Sequence, residues 1–467
     1  MTSLTFYGGV NEIGGNKILL EDKDTKVFLD FGKGFGRRSK FFESFLNPRT
    51  TNGVGDFIQM GLVPDIKGAY RTDLLKIIGR EPEECDIDAC LLTHAHSDHA
   101  DYISFLHENI PIYMGDTCKL ILQAIQEKGT RKIENEVLDF KERPSSAKDE
   151  PIERDVKTFR TGDKFTVGSI EVEPIHVDHS VAGAYGFLLH TSSGTIGYTG
   201  DMRFHGINGK MTQDFVDRAK EEKPIAMICE GTRFGKSDKP ESEENVRTEC
   251  NKIVSDTDRI VFADFNFKDV DRMRTFFNVA KENNRKFVVK LKDAYFLKHL
   301  SQDPKLNVPN VDDDDIIIYL PKMRSGKYVD SDYTSNDQQF IDQHNAWTAE
   351  QIAARENKVV CSLGFYNFTS LIDMNPKSGA VYIHSASEPY NEEQEISQER
   401  TDNWIEHFGM KKFQSHCSGH ARTSDLLAAM KDIGAKTLYP VHTEQPELYK
   451  TISSDVVIVQ EAKRYEI

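Results

Sequence analysis

The segment LLTHAHSDHAD, residues 91–101, decides how this sequence is interpreted. His94, His96, Asp98 and His99 follow directly on a short apolar run that is typical of a buried strand. Two imidazoles two residues apart in an extended chain can face one ion, and the next two ligands then turn toward a second position. Imidazole and carboxylate ligands together suit Zn²⁺ best, with manganese or iron as alternatives. The segment therefore predicts a metal site at the end of a strand.

Further ligands must come from other strand ends, because one segment cannot complete two metal sites. The candidates are His176 and His179 in EPIHVDHS, Asp201 in IGYTGD, and His442 in LYPVH. A single histidine or aspartate after a strand is usually an ordinary turn residue. Four such strand ends in one chain, one of them holding the segment 91–101, favour a shared metal centre instead.

Composition narrows the classes of function. The chain has 467 residues, of which 38% are hydrophobic, enough for a substantial core and two or three domains. Its 7 cysteines are scattered without a C-x-x-C pair, which predicts reduced thiols and a cytoplasmic location. No apolar stretch reaches ~20 residues, and MTSLTFYGGV lacks a signal-peptide pattern, so no membrane partner is expected. The net charge of −16 weakens the expectation of nucleic-acid binding, although a basic groove can lie in an acidic protein.

The segment GKGFGRRSKFF, residues 32–42, is the local exception to that acidity. Its four basic residues, Lys33, Arg37, Arg38 and Lys40, are interleaved with aromatic side chains. Two interpretations stay open here. The segment is either a solvated surface loop or a contact for RNA phosphates, made above all by Arg37 and Arg38.

The pattern of predicted elements changes near residue 240. Before it, short strand-like runs separated by turns predict a meander, with a helix at about 101–108 and further strands over 166–200 and 225–229. After it, strand-like runs alternate with helical segments such as 269–283, which predicts a parallel α/β unit. The last runs, KTLYPV and DVVIVQ (455–460), are again strand-like.

The whole chain resembles the metallo-β-lactamase fold, and within it the β-CASP branch of nucleases, nearest to the ribonucleases J. The shared motifs are, in chain order, FLDFG (28–32), HAHSDHAD (94–101), DHS (178–180), TGDMR (199–203), CEGT (229–232), HCSGHA (416–421) and PVHTE (440–444). The opening YGGVNEIGGNK (7–17) is similar as well. The resemblance implies an α/β protein: a metallo-β-lactamase αββα sandwich made of residues 1–234 and 411–467, with an inserted β-CASP α/β domain over 235–410.

The resemblance also implies a dinuclear centre for two divalent ions, Zn²⁺ or alternatively Mn²⁺. The ligands would be His94, His96 and His179 for one ion, Asp98, His99 and His442 for the other, and Asp201 as the bridge. Asp30 would accept an N–H from a ligand histidine, and His176 would not be a ligand. His96 favours hydrolysis over redox chemistry, because flavodiiron oxidoreductases of this fold have a carboxylate at that position.

The implied activity is that of a dinuclear-metal-dependent ribonuclease, acting as an exo- or endonuclease. RNA would lie in the cleft between the two domains, and metal-activated hydroxide would attack the phosphodiester bond. His420 would protonate the departing 3′ oxygen, and Glu230 would hold His420, while Asp98 and Asp201 would act through the metals. The residues implied to bind phosphate are His416, Ser418, Ser385 and Ser387. RNA is favoured over DNA because DNA-repair members of the branch typically have Val where this chain has His442. A homodimer is compatible with the resemblance.

Two segments depart from the ribonuclease J pattern. HSASEPYNEE (384–393) keeps Asn391 and Glu392 but not the family's glycine, and SLGFYNFTSL (362–371) replaces a Gly-Gln-Gly-Glu stretch. Both lie near the terminal-phosphate pocket in that family, so dependence on the RNA 5′ end stays open. The alternative function is a small-molecule hydrolase of the same fold, lactonase-like or β-lactamase-like, which the net charge favours and the insert and HCSGHA motif disfavour. A third class is an inactive scaffold that binds RNA, which the presence of all seven ligands disfavours.

Overall fold

The computed structural model describes residues 1–467 except 44, 130, 131, 147, 238 and 388–391, so Asn391 lies outside the described residues. The chain divides into two units. The first comprises residues 1–204, 208–239 and 419–467, and the second comprises 205–207 and 240–418. The domain limits expected from the sequence, 234/235 and 410/411, remain a prediction beside this division.

The strands and helices have the following bounds. In chain order, the strands are β1 Thr2–Gly8, β2 Lys17–Asp22, β3 Thr25–Phe31, β4 Ala89–Leu91, β5 Ile112–Gly115, β6 Asp139–Phe140, β7 Ile152–Glu153, β8 Val156–Phe159, β9 Phe165–Val167, β10 Ile170–His176, β11 Tyr185–Thr191, β12 Gly194–Tyr198, β13 Ala226–Cys229, β14 Val261–Asp264, β15 Lys286–Lys290, β16 Ile316–Leu320, β17 Ala346–Thr348, β18 Val359–Ser362, β19 Val381–His384, β20 Lys411–Gln414, β21 Thr437–Pro440 and β22 Arg464–Glu466. The α-helices are α1 Phe35–Ser39, α2 Gly55–Gln59, α3 Thr72–Ile77, α4 Ser97–Ala100, α5 Asp116–Lys128, α6 Gly209–Glu222, α7 Glu243–Ser255, α8 Val270–Glu282, α9 Leu291–Leu300, α10 Ser335–Gln338, α11 Ala349–Ala353, α12 Thr369–Met374, α13 Glu392–His407 and α14 Thr423–Ile433.

The first unit is a sandwich of two sheets. One sheet has the order β22-β1-β2-β3-β4-β5-β8 and the other the order β21-β13-β12-β11-β10-β9. Every second residue of a strand points to the same face, so apolar residues such as Leu20 and Phe187 meet in one core between the sheets. On the outer face of the second sheet, α6 and α14 pack through Phe215 and Leu426, and α5 contacts β5 and β8 of the first. The predicted αββα sandwich is confirmed.

The strand ends of this sandwich place the polar motifs at one edge. Strands β12, β13 and β21 run parallel to one another, as do β3 and β4. Polar residues that follow parallel strands therefore emerge side by side. Gly32, just after β3, is needed for this packing, because a Cβ at that position would lie 1.7 Å from the backbone oxygen of Asp98.

The second unit is built on one sheet with the order β17-β16-β15-β18-β14-β19-β20, whose strand pairs are all parallel. Parallel sheets are covered on both faces, which explains continuous apolar runs such as IIIYL in β16, where every residue is buried. The parallel α/β unit predicted for this part of the chain is confirmed, and it is inserted between segments of the sandwich.

Two local predictions differ from the structure, the first entirely and the second in helix type and length. DVVIVQ (455–460) forms only an isolated bridge between Val456 and Leu438, and the last strand is β22. Its continuous apolar run has another cause: Val459 packs in the core between the sheets, while Val456 packs against the helices on the outer face. The helix expected at about 101–108 is a 3-10 helix, Asp101–Phe105, that follows α4.

Candidate metal centre

The structure brings the seven predicted ligands together in two groups that share one carboxylate. The first group is His94, His96, His179 and Asp201, and the second is Asp98, His99, Asp201 and His442. Within each group the candidate ligand atoms lie within 4.8 Å of one another. Each candidate ligand follows the strand that its motif predicted, and Asp98 and His99 lie in α4.

Asp201 lies at the middle of the two groups. Its Oδ2 atom is 3.2 Å from His99 Nε2 and 3.6 Å from His442 Nε2. The same oxygen is 3.7 Å from His94 Nε2 and 3.8 Å from His179 Nε2. The expectation that Asp201 bridges two ions remains a prediction, which these distances support.

Asp30 contacts the cluster from its buried side. It is fully buried, and its carboxylate lies 2.7 Å from His99 Nδ1 and accepts hydrogen bonds from Thr93 Oγ1 at 2.9 Å and Tyr198 OH at 2.7 Å. Thr93 Oγ1 is also 3.0 Å from His94 Nδ1. Since the carboxylate and the hydroxyl engage the Nδ1 atoms, the Nε2 atoms of His94 and His99 face Asp201. The expected role of Asp30 remains a prediction, which this geometry supports.

Glu230 and His420 lie beside the same carboxylate. His420 Nδ1 is 2.9 Å from Glu230 Oε2 and 3.8 Å from Asp201 Oδ2. Glu230 is 1% exposed, and its other oxygen accepts a hydrogen bond from the backbone N–H of Met202 at 2.7 Å. The imidazole of His420 is therefore held by a fixed carboxylate at the edge of the cluster.

Three buried atoms at the cluster have no hydrogen-bond partner among the described residues: His94 Nε2, His99 Nε2 and Asp201 Oδ1. Buried polar atoms are nearly always paired, so a missing partner at converging ligands indicates a cation. The donor set of imidazole nitrogens and carboxylate oxygens fits Zn²⁺ and, less closely, Mn²⁺. The cluster is accordingly a site for divalent metal.

The histidines of the cluster differ in the direction in which their pKa values are shifted. Burial and the nearby histidines lower the pKa of His94 and His179 well below the ordinary value of 6.5, which leaves both neutral and able to bind a cation. Burial alone would also lower the pKa of His442, but Asp201 and Asp98 outweigh it and raise that pKa to about 9. Burial alone would raise the pKa of Asp201, yet His442 and His99 hold it well below its usual range. Without metal, imidazolium charge thus balances the carboxylates.

The residues predicted to bind phosphate lie in the second unit, around the buried Arg272. Ser385 is 2% exposed, and its hydroxyl lies 2.6 Å from Arg272 Nη1 and donates to the carbonyl of Ser415. His416 Nδ1 is 3.2 Å from Arg272 Nη1. Burial and that guanidinium lower the pKa of His416 to about 4. Ser387 Oγ is exposed, 3.4 Å from His416 Nε2, and Ser418 bonds through its backbone to Glu241 and His205.

Three other predicted or considered residues lie elsewhere. Arg37 contacts Glu12 at 3.0 Å and Glu461 at 2.6 Å, and Arg38 contacts Glu134 at 2.9 Å. Their role in binding RNA stays a prediction. His176 stacks on Tyr185, with 4.1 Å between ring centroids, and is not part of the ligand groups, as expected.

Sequence reasoning missed three residues that support the site: Thr93, Thr232 and Arg272. Thr93 directly precedes His94, and Thr232 closes the CEGT motif, so a hydroxyl inside a ligand motif was the available signal for both. Arg272 lies in a helical segment, and nothing local to it indicates that it contacts Ser385, which is 113 residues away.

Comparison with known proteins finds related sequences. Residues 64–219 match the family model described as a beta-lactamase superfamily domain. Ribonuclease J of Mycoplasma pneumoniae is 21% identical over 473 residues, covering 98% of this chain and 70% of that protein. Ribonuclease J of Sinorhizobium meliloti is 25% identical over 210 residues, covering 44% of this chain and 34% of that protein. The resemblance to the ribonucleases J is thus confirmed along the chain.

A solved structure shows the same fold. The crystal structure of a protein of unknown function from Enterococcus faecalis V583 superposes with a TM-score of 0.74 at 23% identity, over 99% of each chain. In the part of the chain that is described, no helix is long and apolar enough to cross a membrane.

Proposed function

We propose that this protein is a metal-dependent ribonuclease similar to ribonuclease J. The observation that supports this most is the pairing of the metal cluster with a carboxylate-held imidazole, His420, whose Nδ1 lies 3.8 Å from Asp201 Oδ2. Many hydrolases of this fold need only a metal cluster. A proton donor positioned beside the cluster is needed when the leaving group is poor, as in RNA cleavage. Relatives named ribonuclease J over 98% of the chain favour RNA as the substrate.

The chain's own residues would hold and orient two divalent ions, Zn²⁺ or alternatively Mn²⁺. When bound, such ions supply an activated water and stabilise charge on the phosphoryl oxygens. His94, His96 and His179 would bind one, Asp98, His99 and His442 the other, and Asp201 both. Asp30 and Thr93 fix the tautomers of His99 and His94, so that each presents a lone pair on Nε2.

His420 would deliver the proton that the departing 3′ oxygen needs. Its Nδ1–H donates to Glu230, and Nε2 would be the atom that donates to the substrate. The Glu230 carboxylate would hold the imidazole in the orientation that proton donation needs. General acid catalysis of this kind contributes about 10²–10⁴-fold in rate.

For the second unit we propose that His416, Ser387 and Ser418 bind phosphate oxygens. Ser385 would instead orient these phosphate-binding residues, because its hydroxyl already accepts a hydrogen bond from Arg272 and donates one to the carbonyl of Ser415. This unit would correspond to the β-CASP domain of the related nucleases.

One assay tests the proposal. Purified protein loaded with Zn²⁺ or Mn²⁺ is incubated with end-labelled RNA carrying a 5′-monophosphate or a 5′-triphosphate, beside a lactone and a chromogenic β-lactam. We expect cleavage of RNA that disappears in Asp201→Asn. Turnover of the lactone or β-lactam with intact RNA would establish the alternative small-molecule hydrolase, and the net charge of −16 is the observation that favours it.

A further inference from the structure

Thr232 stands between the second ligand group and the proposed proton donor. Its hydroxyl oxygen is 2.8 Å from His442 Nδ1 and 2.7 Å from Glu230 Oε2. Glu230 Oε2 is in turn 2.9 Å from His420 Nδ1. Thr232, Glu230 and His442 are all buried, with exposed fractions of 8%, 1% and 0%. A continuous row of hydrogen bonds therefore joins the two histidines.

The direction of each hydrogen bond follows from the chemistry of its groups. His442 Nε2 lies 3.1 Å from Asp98 Oδ2 and faces the ligand group, so a bound cation requires its lone pair there. The ring proton is then on Nδ1, which donates to the Thr232 hydroxyl. That hydroxyl uses its own hydrogen toward Glu230, because a carboxylate can only accept. Glu230 Oε2 thus accepts from Thr232 and from His420 at the same time.

Thr93 provides an internal comparison, because it makes the same pair of contacts at the first ligand group. Its hydroxyl lies 3.0 Å from His94 Nδ1 and donates to Asp30 at 2.9 Å. The partners of the two carboxylates differ. Asp30 also contacts the predicted ligand His99 at 2.7 Å, whereas Glu230 contacts His420, which belongs to neither of the two ligand groups.

We propose that Thr232 is a positioning residue that couples the orientation of His442 to that of Glu230 and His420. This inference rests on the proposed function, because it takes His420 as the proton donor. Without the hydroxyl, His442 loses the acceptor for its Nδ1–H, and Glu230 loses one of the donors that hold its carboxylate toward His420. Removal of this one hydroxyl should therefore affect both metal retention and protonation of the leaving group.

The first measurement needs no substrate. Metal affinity is determined by chelator competition with Zn²⁺ for wild type, Thr232→Val, Thr232→Ser and the matched control Thr93→Val. Loss of a hydrogen-bond partner behind a ligand histidine typically weakens metal binding about 10–100-fold. We expect such a loss in Thr232→Val and in Thr93→Val, and near wild-type affinity in Thr232→Ser, which keeps the hydroxyl.

The second measurement separates the two threonines at saturating metal. Cleavage of RNA, with its poor alkoxide leaving group, is compared with cleavage of a p-nitrophenyl phosphodiester, whose leaving group needs no proton. Thr232→Val should lose at least about tenfold more activity on RNA than on the activated diester, as a defect in general acid catalysis requires. Thr93→Val should lose both activities in equal proportion, and Thr232→Ser should restore the wild-type ratio.

The outcomes distinguish this inference from the proposed function. If wild type does not cleave RNA, the proposed function fails, but the affinity series still tests the contact between Thr232 and His442. Wild-type metal affinity in Thr232→Val would overturn that contact. If Thr232→Val and Thr93→Val show the same ratio of RNA to diester cleavage, Thr232 supports the metal ligand only, and the coupling to His420 is wrong. Thermal melts of the metal-free variants check that each one folds.

Discussion

Two clusters of buried charge, one in each unit, differ in how completely their polar atoms are satisfied. In the second unit, Arg272 donates from Nε and Nη2 to Glu243 at 2.8 and 3.0 Å, and from Nη1 to the carbonyl of Ser385 at 2.8 Å. In the first unit, His94 Nε2 and Asp201 Oδ1 lack partners among the described residues. A saturated cluster holds structure together by itself, whereas an unsaturated one is completed by a ligand.

This difference predicts how each cluster contributes to stability. Breaking a buried ion pair costs about 3–5 kcal/mol whatever else is bound, because one charge is left without compensation. A cluster completed by a cation instead adds stability only with the cation present, about 2.7 kcal/mol at a ligand concentration 100 times Kd. Metal removal should therefore lower the stability that the first cluster contributes and leave the contribution of the Arg272 cluster unchanged.

The largest effect is expected for Asp201→Asn. Loss of the bridging charge should abolish hydrolysis of any substrate and remove one of the two proposed ions, as measured by metal analysis. Added metal should then raise the melting temperature of wild type more than that of the variant. Asp22→Asn is the control, since that buried carboxylate accepts from Thr2 at 2.7 Å and from Ser169 at 2.7 Å and needs no cation. Full activity and undiminished metal in Asp201→Asn would contradict the bridging assignment.

Next in size is His420→Ala, which leaves the seven ligands intact. Metal content should stay at the wild-type level, while RNA cleavage should fall about 10²–10⁴-fold. The loss should shrink for a p-nitrophenyl phosphodiester, and Glu230→Gln should reproduce part of it. Equal losses on both substrates would mean that His420 binds phosphate and does not donate a proton.

Arg272→Met tests the saturated cluster. It leaves Glu243 buried and unpaired, so the free energy of unfolding of the second unit should fall by about 3–5 kcal/mol, equally with and without metal. Urea unfolding in the presence of Zn²⁺ or a chelator measures both values. Arg247→Met is the control, because the exposed pair of Arg247 with Glu282 should contribute less than about 1 kcal/mol. A loss of unfolding free energy in Arg272→Met that depends on metal would contradict the difference between the two clusters.

A smaller effect concerns acid. Burial alone would raise the pKa of Asp22, but hydrogen bonds from Ser192, Thr2 and Ser169 outweigh it and lower that pKa to about 2. A carboxyl with a lowered pKa in the folded state contributes stability above its unfolded pKa of about 3.9, and this is lost as the pH falls to about 2. Between about pH 5 and 2, wild type should therefore lose about 2–3 kcal/mol more than Asp22→Asn. Parallel pH curves from urea unfolding would show that the hydroxyls do not stabilise the anion.

The ligands could be predicted from the sequence because their positions are determined locally. Each directly follows an apolar strand, and parallel strands such as β12, β13 and β21 bring their carboxyl ends to one edge. The apolar run in DVVIVQ (455–460) misled for a related reason. Residues on opposite faces of this segment are buried in two different cores, and a loop can bury its residues in this way as well as a strand can.

The supporting contacts could not be predicted, because they join residues that are far apart in the sequence. Thr232 and His442 are 210 residues apart, and Arg37 and Glu461 are 424 apart. Nothing near Arg37 in the sequence shows that an acidic partner neutralises it. A basic segment therefore suggests an RNA contact whether or not its charges are already paired.

The smallest effect concerns that segment, and the distinction between saturated and unsaturated charge applies to it as well. Arg37 is engaged by Glu12 and Glu461, whereas Lys40 is exposed and has no ion pair among the residues that the structure describes. If RNA phosphates are contacted here, Lys40→Gln should weaken binding a few-fold and flatten the dependence of log Kd on log salt by about 0.7, the value for one phosphate of a single strand. Arg37→Gln should leave the slope unchanged, since its charge is already compensated. Titrations of labelled RNA over a range of salt measure both. The reverse result, a flatter slope for Arg37→Gln alone, would mean that RNA displaces the glutamates, and that a saturated ion pair at the surface is no guide to what a charge binds.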